Sequence, residues 1–194
     1  MMKQSHHTRF LLVLTAAVLA ASPLAAQTAS NSERERFTAF AVNTSNVGRP
    51  GAMQVDLEIT RWTSDAERDR LMQVFKEKGP NALLEALRDT RPVGFIKTPD
   101  SLAYDLHYAR QMPGEDGGRR IILVTDRPIS FWEARNQPRS IEYPFTLVEL
   151  QMDGKGEGVG KLSIATRITL NGNVLTLENF ANQPVMLTTV RKQR

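Results

Sequence analysis

The chain has 194 residues, 41% of them hydrophobic and 24% charged, with 25 Lys and Arg against 21 Asp and Glu for a formal net charge of +4. That length is one domain, two at most, and 12 Gly with 10 Pro make neither a collagen-like nor a wholly disordered chain. The absence of cysteine excludes a disulfide framework, a thiol nucleophile, a cysteine-held iron–sulfur cluster and a cysteine zinc site.

Residues 1–26 read as a secretory signal peptide. Lys3 and Arg9 form a positive start, Leu11 to Ala21 is an apolar run broken by Thr15, and Pro23 precedes the small-residue stretch ending Ala25-Ala26. The run is shorter than the ~20 apolar residues of a spanning helix. No Cys follows it for lipidation and no Arg pair precedes it for the twin-arginine route. The expectation is export to the periplasm or beyond, with no integral span after cleavage. Loss of Lys3 and Arg9 lowers the +4 by two, and the remaining charges are mixed in sign. No clustered basic footprint for nucleic acid is present.

Residues 27–36 are polar and read as a flexible N-terminal segment. A single β-rich domain is expected over 37–190, followed by a basic tail at 191–194. Phe37 to Val42 is a first strand and Asn43 to Gly51 a loop. Met53 to Trp62 is the clearest strand: Met53, Val55, Leu57 and Ile59 alternate with Gln54, Asp56, Glu58 and Thr60. One buried and one wet face follow, as an antiparallel neighbourhood permits. The period then becomes helical. Ser64 and Glu67 form a capping box, with Asp65 and Asp69 near the positive end of the helix dipole. Leu71, Val74 and Phe75 make one stripe; Gly79 stops the helix and Pro80 opens the next, which carries Leu83, Leu84 and Leu87. Two successive helices are therefore predicted, at 65–77 and 80–89.

Strand patterns return at 93–96, 102–110, 119–125, 143–152, 158–170, 174–178 and 185–190, separated by turns such as Asp153-Gly154-Lys155-Gly156 and Asn171-Gly172. The strand at 119–125 is apolar on both faces through Ile121, Ile122, Leu123 and Val124. The stretch 129–141 is irregular. The fold class is mainly β, a β-rich α+β domain. An antiparallel meander forms a barrel or strongly curved sheet, with the two-helix insertion packed against it. A two-sheet sandwich is the alternative. Asp56, Glu58 and Arg167 on strand faces argue against an outer-membrane barrel.

Chemistry-bearing candidates are few. His107 is the one histidine after the leader, and Asp105, two residues away on a strand, would share its face. Such a pair suits acid–base work near neutral pH, yet no GxSxG nucleophile accompanies it. With no cysteine and one histidine, neither a metal nor another cofactor is called for. The run Gly154 to Lys161 fails as a phosphate loop: Lys155 stands where the first Gly belongs and Leu162 where the hydroxyl belongs. Asp56 and Glu58 are too local to straddle a scissile bond across the ~5–9 Å of a glycosidase pair. Trp62, Tyr104, His107, Tyr108, Arg110 and Trp132 are the candidate ligand-binding side chains: aromatics for a pocket wall, a histidine for a polar contact, an arginine for an anionic group.

The strings Ile59-Thr60-Arg61-Trp62-Thr63-Ser64-Asp65, Ser101-Leu102-Ala103-Tyr104-Asp105-Leu106-His107-Tyr108 and Asp126-Arg127-Pro128-Ile129-Ser130-Phe131-Trp132 resemble those of a group of exported bacterial proteins of similar size without an assigned function. The resemblance runs from about Phe37 to Val190. It implies export and a single domain, and transfers no site residue. The reading favoured is a non-enzymatic exported protein binding a small apolar or amphipathic, or anionic, ligand in a β-barrel or cup. An envelope structural or protein–protein interaction module with an envelope partner is one alternative, and a hydrolase or isomerase using His107 and Asp105 another.

Overall fold

The computed structural model of the chain describes residues 34–44, 50–98, 102–114, 117–127, 142–171, 174–180 and 183–194. The leader at 1–26, the polar residues 27–33 and Trp132 lie outside them. The elements in chain order are β1 (Glu35–Asn43), β2 (Gly51–Ile59), α1 (Asp65–Arg88), β3 (Gly94–Lys97), β4 (Tyr104–Leu106), β5 (Tyr108–Pro113), β6 (Arg119–Val124), β7 (Phe145–Met152), β8 (Glu157–Asn171), β9 (Val174–Asn179) and β10 (Val185–Lys192).

All strand pairs are antiparallel, in the order β4-β3-β2-β1-β10-β8-β7-β6-β5, with β9 added to the far part of β8. The two ends of that order belong to one run of chain. β4 pairs with β3, a single residue (His107) intervenes, and β5 pairs with β6. The sheet thus bends round until its ends meet, and the ten strands nearly close into a barrel. A sandwich would need two separate sheets; here one sheet holds all ten described strands.

Alternation along each strand fills the barrel. Phe37, Ala39 and Ala41 of β1, Val55, Leu57 and Ile59 of β2, and Ile121 and Leu123 of β6 point inward, at 2% exposure or less. Val148 and Leu150 of β7, Leu162 of β8 and Leu187 of β10 complete one contiguous buried cluster, capped by Trp62. Each large apolar side chain so buried contributes about 1.5–3 kcal/mol relative to exposure. The interior is therefore a packed core.

A second apolar layer lies outside the barrel. Leu71, Phe75, Leu83, Ala86 and Leu87 of α1 cover Val124, Phe145 and Ile168 on the outer sheet face. This explains why β6 is apolar on both faces: Ile121 and Leu123 serve the interior, while Ile122 and Val124 serve the helix. The element α1 is a single helical span broken at Gly79, whose φ of 81° and ψ of −170° leave the helical region, with Pro80 starting the second part. Its N-terminus carries the reciprocal cap. Glu67 N–H donates to Ser64 Oγ at 3.2 Å, and Ser64 N–H donates to Glu67 Oε2 at 2.9 Å.

Several boundaries differ from the sequence reading: β2 ends at Ile59 rather than Trp62, the strand expected over 102–110 is divided into β4 and β5, and β5 runs on through Pro113. β1 begins at Glu35, inside the segment expected to be flexible, because Glu35 pairs with Ile59 and its side chain faces inward. β10 runs through Lys192, so Arg191 and Lys192 of the expected tail belong to the sheet.

Candidate functional site

The helix does not seal its whole face of the barrel. The β8–β9 hairpin reaches past the end of β7, whose last pair with β8 is Phe145 with Thr166. Between that extension and the helix lies a crevice of about 220 Å³. Its walls are Leu71, Phe75 and Leu83 from α1, Ile122 and Leu147 from the barrel, and Ile168, Leu175 and Leu177 from the hairpin. Leu175 and Leu177 retain 45% and 46% exposure.

Polar groups gather at one rim, where Tyr108 and Arg68 also line the crevice. Burial pushes the Tyr108 phenol up, against the opposing pull of Arg110 and Arg68. Arg68 is held by Asp69 at 2.7 Å and by Asp65 at 3.4 Å. Asp65 also receives Arg110 at 2.8 Å, and that hydrogen bond, followed by its charge, holds the Asp65 carboxyl below the ordinary value. The rim is a chain of alternating charges, Arg110, Asp65, Arg68 and Asp69, rather than an uncompensated cation.

His107 lies elsewhere. It occupies the break between β4 and β5, and Leu106 and Ala109 are both inward on either side of it. The strict alternation that would place Asp105 and His107 on one face is therefore interrupted. Asp105 is exposed, whereas His107 is buried with its Nε2 3.8 Å from Oδ1 of buried Asp126. The ring Nδ1 is 3.0 Å from the Thr90 carbonyl oxygen, just past α1. Asp126 is further held by Arg127 at 3.1 Å and Arg88 at 3.5 Å. The acid facing His107 is thus Asp126, and the cluster ties the C-terminal end of α1 to the barrel.

The candidate binding side chains are not brought together. Trp62 is buried in the barrel core, and Tyr104 packs half-buried against the same cluster. Arg110 is engaged with Asp65 at the crevice rim, and Tyr108 is the candidate that lines the crevice itself. Trp132 lies outside the described residues. The apolar walls were missed because no single segment announces them. The one signal was the two-sided apolar run Ile121 to Val124, which requires a cover on its outer face.

A larger groove of about 710 Å³, lined by both charged and apolar residues, opens at one end of the barrel, between the β5–β6 and β7–β8 turns. Its charges are internally matched. Arg119 donates to both carboxylate oxygens of buried Glu35, at 2.9 and 2.5 Å, and to Gln111 at 2.8 Å. Arg120 meets Glu149 at 2.8 Å, and Arg191 meets Glu157 at 3.6 Å. Neither a free cation nor a free carboxylate in these pairs demands a ligand. No group of three or more metal-ligating side chains occurs among the described residues.

Compared with protein-family models, curated proteins and solved structures, the chain matches none.

Proposed function

We propose that this is an exported, non-catalytic protein that binds the apolar part of a small amphipathic molecule in the crevice between α1 and the outer face of the barrel. The observation that carries the reading is the crevice itself: eleven apolar side chains from helix, barrel and hairpin converge on one gap that Arg68 and Tyr108 also line. Apolar walls with a few placed polar groups are the usual make-up of a small-molecule site. The barrel-like fold is consistent with a cup, and the packed interior is why the proposed cup is the outer crevice rather than the lumen.

Size sets the ligand class. A volume of 220 Å³ exceeds the ~150 Å³ that accepts one benzene, and falls below the ~300–1,000 Å³ of drug-sized sites. A short alkyl chain or a single ring fits. Its polar head would lie at Tyr108 and Arg68.

A chain-length series tests this. Methyl-labelled protein is titrated with hexanoate, octanoate and decanoate, and with 1-octanol to separate chain from carboxylate. At about 0.8 kcal/mol per buried methylene, each added carbon tightens binding roughly fourfold until the crevice is full. Shifts are expected at Leu71, Leu83, Ile168 and Leu177, with core Leu57 and Leu123 unmoved. Flat affinity along the series, or shifts centred on the barrel interior, overturns the proposal.

A further inference from the structure

We infer that the outer edge of β9 is a pairing surface for a second copy of this chain, joined antiparallel about a two-fold axis at Thr176. Among the described residues β9 pairs with β8 alone, so its other edge presents backbone donors and acceptors without a strand partner. Exposed sheet edges normally carry a lysine, a proline or a bulge that blocks pairing. The segment Val174–Asn179 carries no lysine or proline, and its pairing with β8 runs without a shift.

The pattern on β9 is self-complementary. Leu177 lies opposite Ile168 and Leu175 opposite Leu170, so both leucines share the face that carries the crevice. A two-fold at Thr176 sets Leu175 of one copy opposite Leu177 of the other, twice over. Four half-exposed leucines then form one cross-strand cluster, which continues the crevice wall of each copy. A slip by one residue would oppose leucines to the polar face, so the register is specified. The opposite face brings no bare charges together. Glu178 is held within its own copy by Arg167 and by the Tyr143 hydroxyl at 2.6 Å. A six-residue edge is small beside a standard interface, so the dimer is concentration-dependent rather than obligate.

The test uses the one residue that meets itself. Thr176 is exposed and lies on the face away from the crevice, so its replacement leaves ligand binding aside. Sedimentation of the purified protein is followed over a wide concentration range. Wild type is expected to shift from monomer to dimer. Thr176→Lys and Thr176→Glu each place like charges opposite one another and are expected to remain monomeric, with unchanged circular dichroism. An equimolar mixture of the two restores the dimer, because lysine then faces glutamate. A wild type that stays monomeric, single variants that dimerise as wild type does, or a mixture that fails to pair overturns the inference.

Discussion

Thr63 and Ala109 close the barrel through a reciprocal pair of hydrogen bonds. The Thr63 N–H donates to the Ala109 carbonyl at 2.9 Å, and the Ala109 N–H donates to Thr63 Oγ1 at 2.9 Å. Beyond His107 the chain has left β3 for β6, so among the described residues no strand pairs with the edge of β5 away from β6. The threonine supplies with one residue what a neighbouring strand would supply: a donor from its backbone and an acceptor from its side chain. Both residues are buried, so water cannot replace either bond.

Thr63→Val keeps the shape and removes the acceptor. The Ala109 N–H is then buried without a partner, which costs about 1–3 kcal/mol. Thr63→Ser keeps the oxygen and is expected to cost well under that. Urea unfolding midpoints of the two variants measure the difference, and equal midpoints would show that the side-chain bond contributes nothing to closure.

Glu35 and Arg119 form the buried pair at the groove end of the barrel, with Lys192 Nζ 3.5 Å from the same carboxylate. Removing one partner of a fully buried pair costs about 3–5 kcal/mol. Arg119 retains 25% exposure, so Glu35→Ala is expected at about 2–3 kcal/mol, below that range. The double variant Glu35→Met with Arg119→Met leaves no stranded guanidinium and should be the more stable of the two in chemical denaturation. A double variant no better than the single would mean that lost packing, not the stranded charge, dominates.

Glu67 makes the helix cap sensitive to acid. Burial works to raise its carboxyl, but hydrogen bonds from Arg61 and Ser64 outweigh it and hold the group below its usual 4.5. A carboxyl depressed in the folded state contributes stability above its unfolded pKa, and that contribution is lost as the pH falls through the folded value. Wild type should therefore exceed Glu67→Gln in stability at neutral pH, with the gap narrowing as the pH falls below the ordinary carboxyl value of 4.5 and through the lower folded-state value. Denaturation of both proteins across pH 7 to 2 checks this. A gap that stays constant through acid would assign the cap to geometry rather than charge.

Gly79 and Gly94 test two different demands on glycine. At Gly79 a Cβ would meet nothing within 4 Å, so Gly79→Ala carries only the backbone cost of holding φ at +81° and ψ at −170°, a region essentially reserved for glycine, about 1–3 kcal/mol. At Gly94 a Cβ would lie 1.9 Å from the Glu58 carbonyl oxygen across the β2–β3 pair. Gly94→Ala must push those strands apart and is expected to lower the thermal midpoint far more than Gly79→Ala. The reverse order in a melting experiment would contradict this placement of β3.

Features carried by near neighbours in the chain were legible in the sequence. The alternation of Val55, Leu57 and Ile59, the Ser64–Glu67 cap and the break at Gly79-Pro80 each depend on residues a few positions apart. A mainly β fold with long antiparallel strands followed from them. Features that join distant residues were not legible. Glu35 looked like one polar residue among many, because its reason to point inward, Arg119, lies 84 residues away. Asp105 looked like the partner of His107 until the break between β4 and β5 turned the histidine toward Asp126. Barrel rather than sandwich was settled by one run of chain, Tyr104 to Pro113, pairing at both ends of the sheet order. The crevice arises only where helix, barrel and hairpin fail to meet. Local sequence sets which face of an element is apolar; which faces come together, and where they leave a gap, is set by long-range pairing.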